Sequence, residues 1–369
     1  MMHSKFSRRH LIQVAGAIAA ASSAYSSRVF SLPVKRKIGV ALVGLGYYSQ
    51  DLLAPALQLT KYCELKGIVT GSPEKVPVWQ KQYGIADRNV YSYENMHEIA
   101  DNHEIDVIYI VVPTALHMKY SVIAANAGKH VWCEKPMAMT ASECETIIAA
   151  CTKNQVQLTV GYRLHHEPNT QTVMEYARTK PFGAIESIVA QAGYEGEAPA
   201  ADHWRLKRSM GGGALYDMGV YPINAARYAL GEDPIAVSAR LSVERKEIFK
   251  EVDESAELTL EFPSGAIAKC ATSVGKNMNI LRATCAEGWY ELSPMQSYTG
   301  VKGKTSDGTF LNKTVVNQQA KQMDDDAIAI FHNSRVLAPG EEGLADIRVV
   351  EAALKSHAAG GERVELKKG

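Results

Sequence analysis

A chain of 369 residues is longer than one ordinary hydrophobic core sustains, so two domains are expected. Its 46% apolar and 22% charged residues are a globular composition and exclude a disordered, collagen-like or coiled-coil chain. Forty basic side chains balance forty acidic ones, and the absence of a basic excess argues against a nucleic-acid partner.

The chain opens with an address. Ser7-Arg8-Arg9-His10-Leu11-Ile12-Gln13 precedes a small apolar run, Val14 to Ala21, followed by Ser22-Ser23-Ala24. Two adjacent arginines before a weakly hydrophobic stretch resemble a twin-arginine export signal, and the small residues suit cleavage after Ala24. The run falls short of the roughly 20 apolar residues that a membrane span needs. Residues 1–24 are read as a signal peptide and 25–37 as an arm. The mature protein is expected in the periplasm, with no membrane association beyond export.

From Lys35 onward, apolar runs alternate with helical patterns. Ile38 to Val43, Glu64 to Val69, Asp106 to Val112, Lys129 to Cys133 and Gln157 to Val160 read as buried parallel strands. Helices are expected between them over Asp51 to Thr60, Val76 to Tyr83, Leu116 to Ala127 and Ser142 to Lys153. This alternation predicts an α/β fold, with a doubly wound Rossmann sheet spanning residues 38–160.

Gly44-Leu45-Gly46-Tyr47-Tyr48-Ser49 directly follows the first strand and opens a helix. The first glycine permits a tight turn, and the second lets backbone approach a pyrophosphate at a helix N-terminus. Ser49 replaces the third glycine with another small residue. Val69-Thr70-Gly71-Ser72-Pro73-Glu74-Lys75 lacks the carboxylate with which NAD enzymes hold the ribose at this strand end. Ser72 offers a hydrogen bond and Lys75 a charge, while Glu74 is read as a solvent-facing residue of a first helical turn. NADP is therefore the expected cofactor. Nicotinamide nucleotides are scarce outside the cytoplasm and the twin-arginine route passes folded proteins, so the NADP is expected to be tightly bound. Gly303-Lys304-Thr305 is not a phosphate loop, because Tyr298 stands where its first glycine should be.

The fifth strand ends in Cys133-Glu134-Lys135-Pro136, a charged pair at the edge where open α/β sheets bind ligands. Gly161-Tyr162-Arg163-Leu164-His165-His166 leaves the sixth strand, and no metal site is read there. Beyond residue 160 the stretches Ala236 to Val243, Ala256 to Phe262, Ala266 to Ser273 and Ile280 to Cys285 alternate like antiparallel strands. Residues 161–369 thus form a second, α+β domain with a large, mostly antiparallel open sheet. Phe262 to Ala266 reads as a hairpin turn, Thr299 to Thr309 as a surface loop, and Asp324-Asp325-Asp326 as a solvated helix start. A final helix over Gly343 to Ala358 is placed to pack back on the first domain. In Gly211-Gly212-Gly213-Ala214-Leu215-Tyr216-Asp217-Met218-Gly219-Val220-Tyr221, a helix puts Asp217 and Tyr221 on one face. The cysteines at 63, 133, 144, 151, 270 and 285 show no CxxC or zinc spacing and read as buried small hydrophobes.

Together these segments resemble the glucose–fructose oxidoreductase and inositol dehydrogenase superfamily, most closely its periplasmic, NADP-containing glucose–fructose oxidoreductase branch. The resemblance runs from Ile38 to Leu366. It rests on GLGYYS (44–49), VVPTALH (111–117), CEKPMA (133–138), GYRLHHEP (161–168), HWRLKR (203–208), GGGALYDMGVYPIN (211–224) and PGEEGLADIRVVEAAL (339–354). That branch carries a longer N-terminal arm than residues 25–37 provide.

The resemblance implies sugar substrates, a homo-oligomer (dimer or tetramer) and three catalytic residues. Lys135 would hydrogen-bond the reacting sugar oxygen, Tyr221 would be the general acid/base, and Asp217 would orient the sugar hydroxyls. A free tyrosine has a pKa of about 10, and an adjacent ammonium is the means of lowering it. Tyr162, Trp204 and Arg205 are expected in the substrate pocket with Asp217 and Tyr221. Gly44, Gly46, Tyr47, Tyr48, Ser72, Lys75, Pro113, His117, Glu134, Lys135 and Arg163 are expected around NADP. The implied reaction oxidises an aldose at C1 and reduces a second sugar. A one-way sugar dehydrogenase, a nicotinamide-dependent glycoside hydrolase and a non-catalytic NADP sensor are the alternatives on this fold.

Overall fold

The structure, a computed structural model, describes residues 37–196 and 199–366. The expected signal peptide and all of the arm but Lys37 lie outside the described residues.

The first sheet is built from β1 (Ile38–Val43), β2 (Cys63–Val69), β3 (Val90–Tyr91), β4 (Val107–Ile110), β5 (His130–Cys133) and β6 (Leu158–Val160). All pairings are parallel, in the order β3-β2-β1-β4-β5-β6. The chain reverses direction of travel between β1 and β4, which opens a crevice at their carboxyl ends. Two-residue β3 was not expected, being too short to show any periodicity. The second sheet is mixed and mostly antiparallel, nine strands in the order β14-β13-β12-β11-β7-β10-β9-β8-β15. They are β7 (Ile185–Glu195), β8 (Ala236–Ser242), β9 (Ser255–Glu261), β10 (Ile267–Ser273), β11 (Gly275–Cys285), β12 (Gly288–Leu292), β13 (Gly303–Thr305), β14 (Phe310–Leu311) and β15 (Val364–Glu365). β7 sits at the middle, parallel to β10 and antiparallel to β11. The segment expected as a surface loop at 299–309 contains β13, which pairs with β12.

The helices are α1 (Ala54–Leu57), α2 (Val76–Tyr83), α3 (His117–Asn126), α4 (Ala141–Lys153), α5 (Pro168–Thr179), α6 (Ala214–Asp217), α7 (Val220–Leu230), α8 (Gln318–His332) and α9 (Gly340–Ala358). α1 is entered through a π-helical turn, Tyr48–Leu53. Thr140 and Glu143 form a capping box on α4, each bonding the other's backbone N–H.

α8 and α9, late in the chain, belong to the first sheet as much as to the second. α8 buries Ala320, Met323 and Ala327 against Val40, Leu42 and Trp132. α9 puts Ile347 into the core under α4, and Val349, Val350 and Ala353 into the core of the second sheet. A cut at residue 160 therefore separates the sheets but not their packing.

The acid triplet is not a helix start. Asn317 caps α8 by accepting from the Ala320 N–H at 2.8 Å, and the triplet lies seven to nine positions in. Each acid faces a partner from another element or the interior. Asp324 accepts from the backbone of Lys61 and Tyr62, Asp325 bonds His166 and Lys321, and Asp326 is buried. Burial drives the Asp326 carboxyl well above the usual carboxylate range. All six cysteines are buried and free.

Met323 has no exposed surface. Met323→Ala is expected to cost about 2–5 kcal/mol in urea unfolding. A loss below about 1 kcal/mol would show that α8 is not part of the first core.

Candidate active site

The nucleotide cradle begins where β1 ends. Gly44 turns with φ +89°, and a Cβ there would lie 2.4 Å from the carbonyl oxygen of Val111. Only glycine lets the turn cross so close to the exit of β4. Buried Ser49 donates its hydroxyl to the Gly44 carbonyl at 2.6 Å, so the small residue in the third motif position also ties down the turn. At Gly46 the direction of a missing Cβ meets nothing within 4 Å. This exposed notch, followed by the amides of the π-turn, is where a pyrophosphate fits. Tyr47 projects beside it, 66% exposed.

The end of β2 reaches back to the same turn. Thr70 Oγ1 accepts from the Ser72 N–H at 3.0 Å, shaping the entry to a single 3₁₀ turn over Pro73–Lys75. Lys75 Nζ then donates to the Leu45 carbonyl at 2.8 Å. Glu74 is exposed, so the strand end presents a hydroxyl and an ammonium. These residues fit a nicotinamide dinucleotide, including one that carries a 2′-phosphate.

Pro113 stands at the exit of β4, opening the 3₁₀ turn that leads into α3. His117 is fully enclosed, with Nδ1 at 2.8 Å from the Pro136 oxygen and Nε2 at 2.7 Å from the Val112 oxygen. It braces the exits of β4 and β5 against each other instead of lining the open cleft, a correction to its expected place among cofactor contacts.

Glu134 and Lys135 leave β5 in opposite directions. Buried Glu134 accepts from the Tyr109 hydroxyl at 2.6 Å and from the Lys135 N–H at 3.2 Å. Burial raises its carboxyl above the usual range, against the pull of Tyr109 and Lys135. Lys135 turns toward the second domain. Its Nζ donates to the Asp217 carbonyl at 2.7 Å, lies 3.8 Å from Asp217 Oδ1, and stands 4.6 Å from the ring centre of Tyr221. Asp217 ends α6 and Tyr221 lies in the first turn of α7, so the expected shared face spans two short helices broken at 218–219. Arg205 Nε donates to Asp217 Oδ2 at 2.7 Å. Burial alone would raise Asp217, but Lys135 and Arg205 outweigh it and hold the carboxyl below the ordinary carboxylate range. Arg205 also stacks over Trp204, itself stacked on His203, and a small recess opens beside Asp217, Arg205 and Tyr194.

Arg163 is buried behind this constellation. Its guanidinium donates to the Ser297 carbonyl, Gln296 Oε1 and Gln318 Oε1, and lies 5.8 Å from the Tyr221 ring centre. Tyr162 does not join the site. It is 2% exposed, and its hydroxyl donates to Asp346, which also binds Arg227 and Asn224. The residue before Arg163 faces the opposite way, into the α7–α9 interface. Tyr298 was not among the expected residues; its ring stands 4.7 Å from Arg163 and 6.3 Å from the Tyr48 ring. The one signal it offered was an aromatic residue inside a polar loop.

Residues 38–162 match the model of an oxidoreductase family with an NAD-binding Rossmann fold, and residues 170–291 match the GFO/IDH/MocA C-terminal domain. Among solved structures, an aldose-aldose oxidoreductase from Caulobacter crescentus is 36% identical, with a TM-score of 0.85 over 90% of this chain and all of that one. A D-xylose 1-dehydrogenase [NADP(+)] from Haloarcula marismortui is 26% identical over 86% of this chain and 90% of its own. A second NADP(+) xylose dehydrogenase, from Haloferax volcanii, is 26% identical over 88% and 97%.

Proposed function

The chain belongs to the GFO/IDH/MocA oxidoreductase family, and within it we propose that it is an NADP(H)-dependent aldose oxidoreductase with Tyr221 as acid/base. The observation that carries this reading is Lys135, an ammonium held by Asp217 and set 4.6 Å from the Tyr221 ring at the edge where the nucleotide cradle opens.

When bound, a nicotinamide dinucleotide would supply the hydride chemistry, by which an aldose is oxidised at C1 and the carbonyl carbon of a second sugar reduced. The protein's task is proton control and position. In the first half reaction the Tyr221 phenolate accepts the proton of the C1 hydroxyl, leaving an aldonolactone. In the second it returns that proton to the oxygen of the sugar being reduced, yielding a polyol. The Lys135 ammonium, beside the Tyr221 ring, hydrogen-bonds the reacting oxygen. Asp217, kept anionic by its two cations, orients neighbouring hydroxyls, with Arg205 and Trp204 flanking it. Ser72 and Lys75 receive the 2′-phosphate.

The arginine pair at 8–9 supports export by the twin-arginine route, and a periplasmic enzyme that keeps its NADP through alternating half reactions needs no external nucleotide. The likeness to NADP-dependent xylose dehydrogenases favours a second reading, one-way oxidation with exchangeable cofactor.

An absorbance scan of protein purified without added nucleotide separates the two. A reduced-nicotinamide band that appears with an aldose and fades with a second sugar supports coupling on retained cofactor. A band that appears only after NADP is supplied identifies the one-way enzyme. Silence with every sugar and nucleotide would overturn the oxidoreductase reading.

Lys135→Met is expected to cut turnover at least about a hundredfold while leaving nucleotide bound; normal turnover would remove Lys135 from the chemistry. Ser72→Asp sets a carboxylate against the 2′-phosphate and should weaken NADP binding by about tenfold or more, measured by titration. Unchanged affinity would place the phosphate elsewhere.

A further inference from the structure

The loop between β12 and β13 crosses from the second domain to the mouth of the nucleotide cradle and is pinned there from behind. Gln296 and Ser297 accept the Arg163 guanidinium at 3.1 and 3.0 Å, and Asn279 bonds both the N–H and the carbonyl of Gln296. The next residue, Tyr298, stands with its ring centre 4.7 Å from Arg163, which is 2% exposed, and 6.3 Å from the ring of Tyr48. Tyr48 lies two residues beyond Gly46, in the first turn above the notch where a pyrophosphate fits. This ring, contributed by the other domain, stands beside the turn that flanks the cradle.

Tyr298 is 39% exposed although a buried cation stands behind it and four hydrogen bonds tether the two residues before it. A tyrosine held rigid with an open face loses little conformational entropy when it stacks on a ligand. Arg163 stands beside both Tyr298 and Tyr221, at 4.7 and 5.8 Å from their ring centres, so Tyr298 lies between the glycine turn and Tyr221. A guanidinium behind the ring strengthens the arrangement through its attraction to the π face.

We propose that Tyr298, anchored by Arg163, is a nucleotide-retaining residue: an aromatic cover supplied by the C-terminal domain to a dinucleotide seated on the glycine turn. It is a binding contact, and the hydride and proton steps do not pass through it. The inference rests on reading Gly44 to Ser49 as the nucleotide site, and it supplies a means of retention that leaves the arm at 25–37 out.

The test is NADPH dissociation from the full mature protein, followed by nucleotide fluorescence after mixing with excess NADP. Tyr298→Ala is expected to release NADPH about tenfold faster or more, the range that stacking on an aromatic side chain supplies. Tyr298→Phe keeps the face and should release it within about twofold of wild type. Gln296→Ala leaves the ring but cuts one tether, with an intermediate increase expected; it also serves if Tyr298→Ala melts early without nucleotide. Unchanged release from the alanine variant overturns the proposal. So does a phenylalanine variant as fast as alanine, since the hydroxyl would then do the holding. If wild type itself exchanges NADPH freely, retained cofactor fails as a reading, while the ratio of variant to wild-type affinity still decides the role of Tyr298.

Discussion

A partly buried ammonium fixes the geometry of this protein. Lys135 leaves β5 with its side chain only 12% exposed, where an unpaired charge is costly. The second domain compensates it, since α6 brings both the carbonyl and the carboxylate of Asp217 to Nζ. α6 reaches that position through Gly213, whose φ is +101° and whose missing Cβ would lie 2.4 Å from Asp253 Oδ1. The same Asp217 holds Arg205, so one carboxylate answers two cations and stays ionised despite its burial. In such a triad the loss of Asp217 would leave two uncompensated cations, and the two domains are held in one register by that cost.

The C-terminal third of the chain reinforces the register. α8 closes the outer face of the first sheet, and α9 is buried by both cores. Arg163, just past β6, bonds Gln318 at the start of α8 and two residues of the β12–β13 loop. A single buried guanidinium thus ties the exit of the Rossmann sheet, the returning helix and the loop that overhangs the glycine turn. Its fork of donors suits a junction of carbonyl and amide oxygens drawn from three segments.

Much of this was legible in the sequence because it is local. Buried parallel strands are continuous apolar runs, and β1 and α2 fall where their periodicity places them. The glycine turn and the charged pair after β5 are contiguous motifs whose chemistry does not wait for tertiary structure. What escaped depends on partners far away in the chain. β7 has only partial alternation, since it lies between two strands of its sheet with helices against one face, and its pattern follows neither template. The acid triplet looked solvated because its partners, Lys61, Tyr62 and His166, are more than 150 residues distant. Tyr162 and Arg163 are adjacent yet face different interfaces, a divergence set by the 3₁₀ turn after β6 that no spacing rule predicts. Tyr298 acquires meaning only when its loop meets Tyr48.

The opposite fates of Glu134 and Lys135 show how one strand exit separates the walls of a cleft. Alternation along an extended chain sends neighbouring side chains to opposite faces. Glu134 goes inward to Tyr109, and its carboxyl is raised by burial. Lys135 goes outward, toward Asp217 and Tyr221. Were the pair to slip by one position, the ammonium would enter the interior with only a phenol for company and the carboxylate would face Asp217, repelled by it. The order Glu-Lys at this edge therefore places the positive charge on the side of the cleft where Tyr221 stands. On the other side it leaves a carboxyl that burial raises above its usual range. That asymmetry, set by two adjacent residues, gives the cleft one wall that carries an ammonium and another backed by a buried carboxyl.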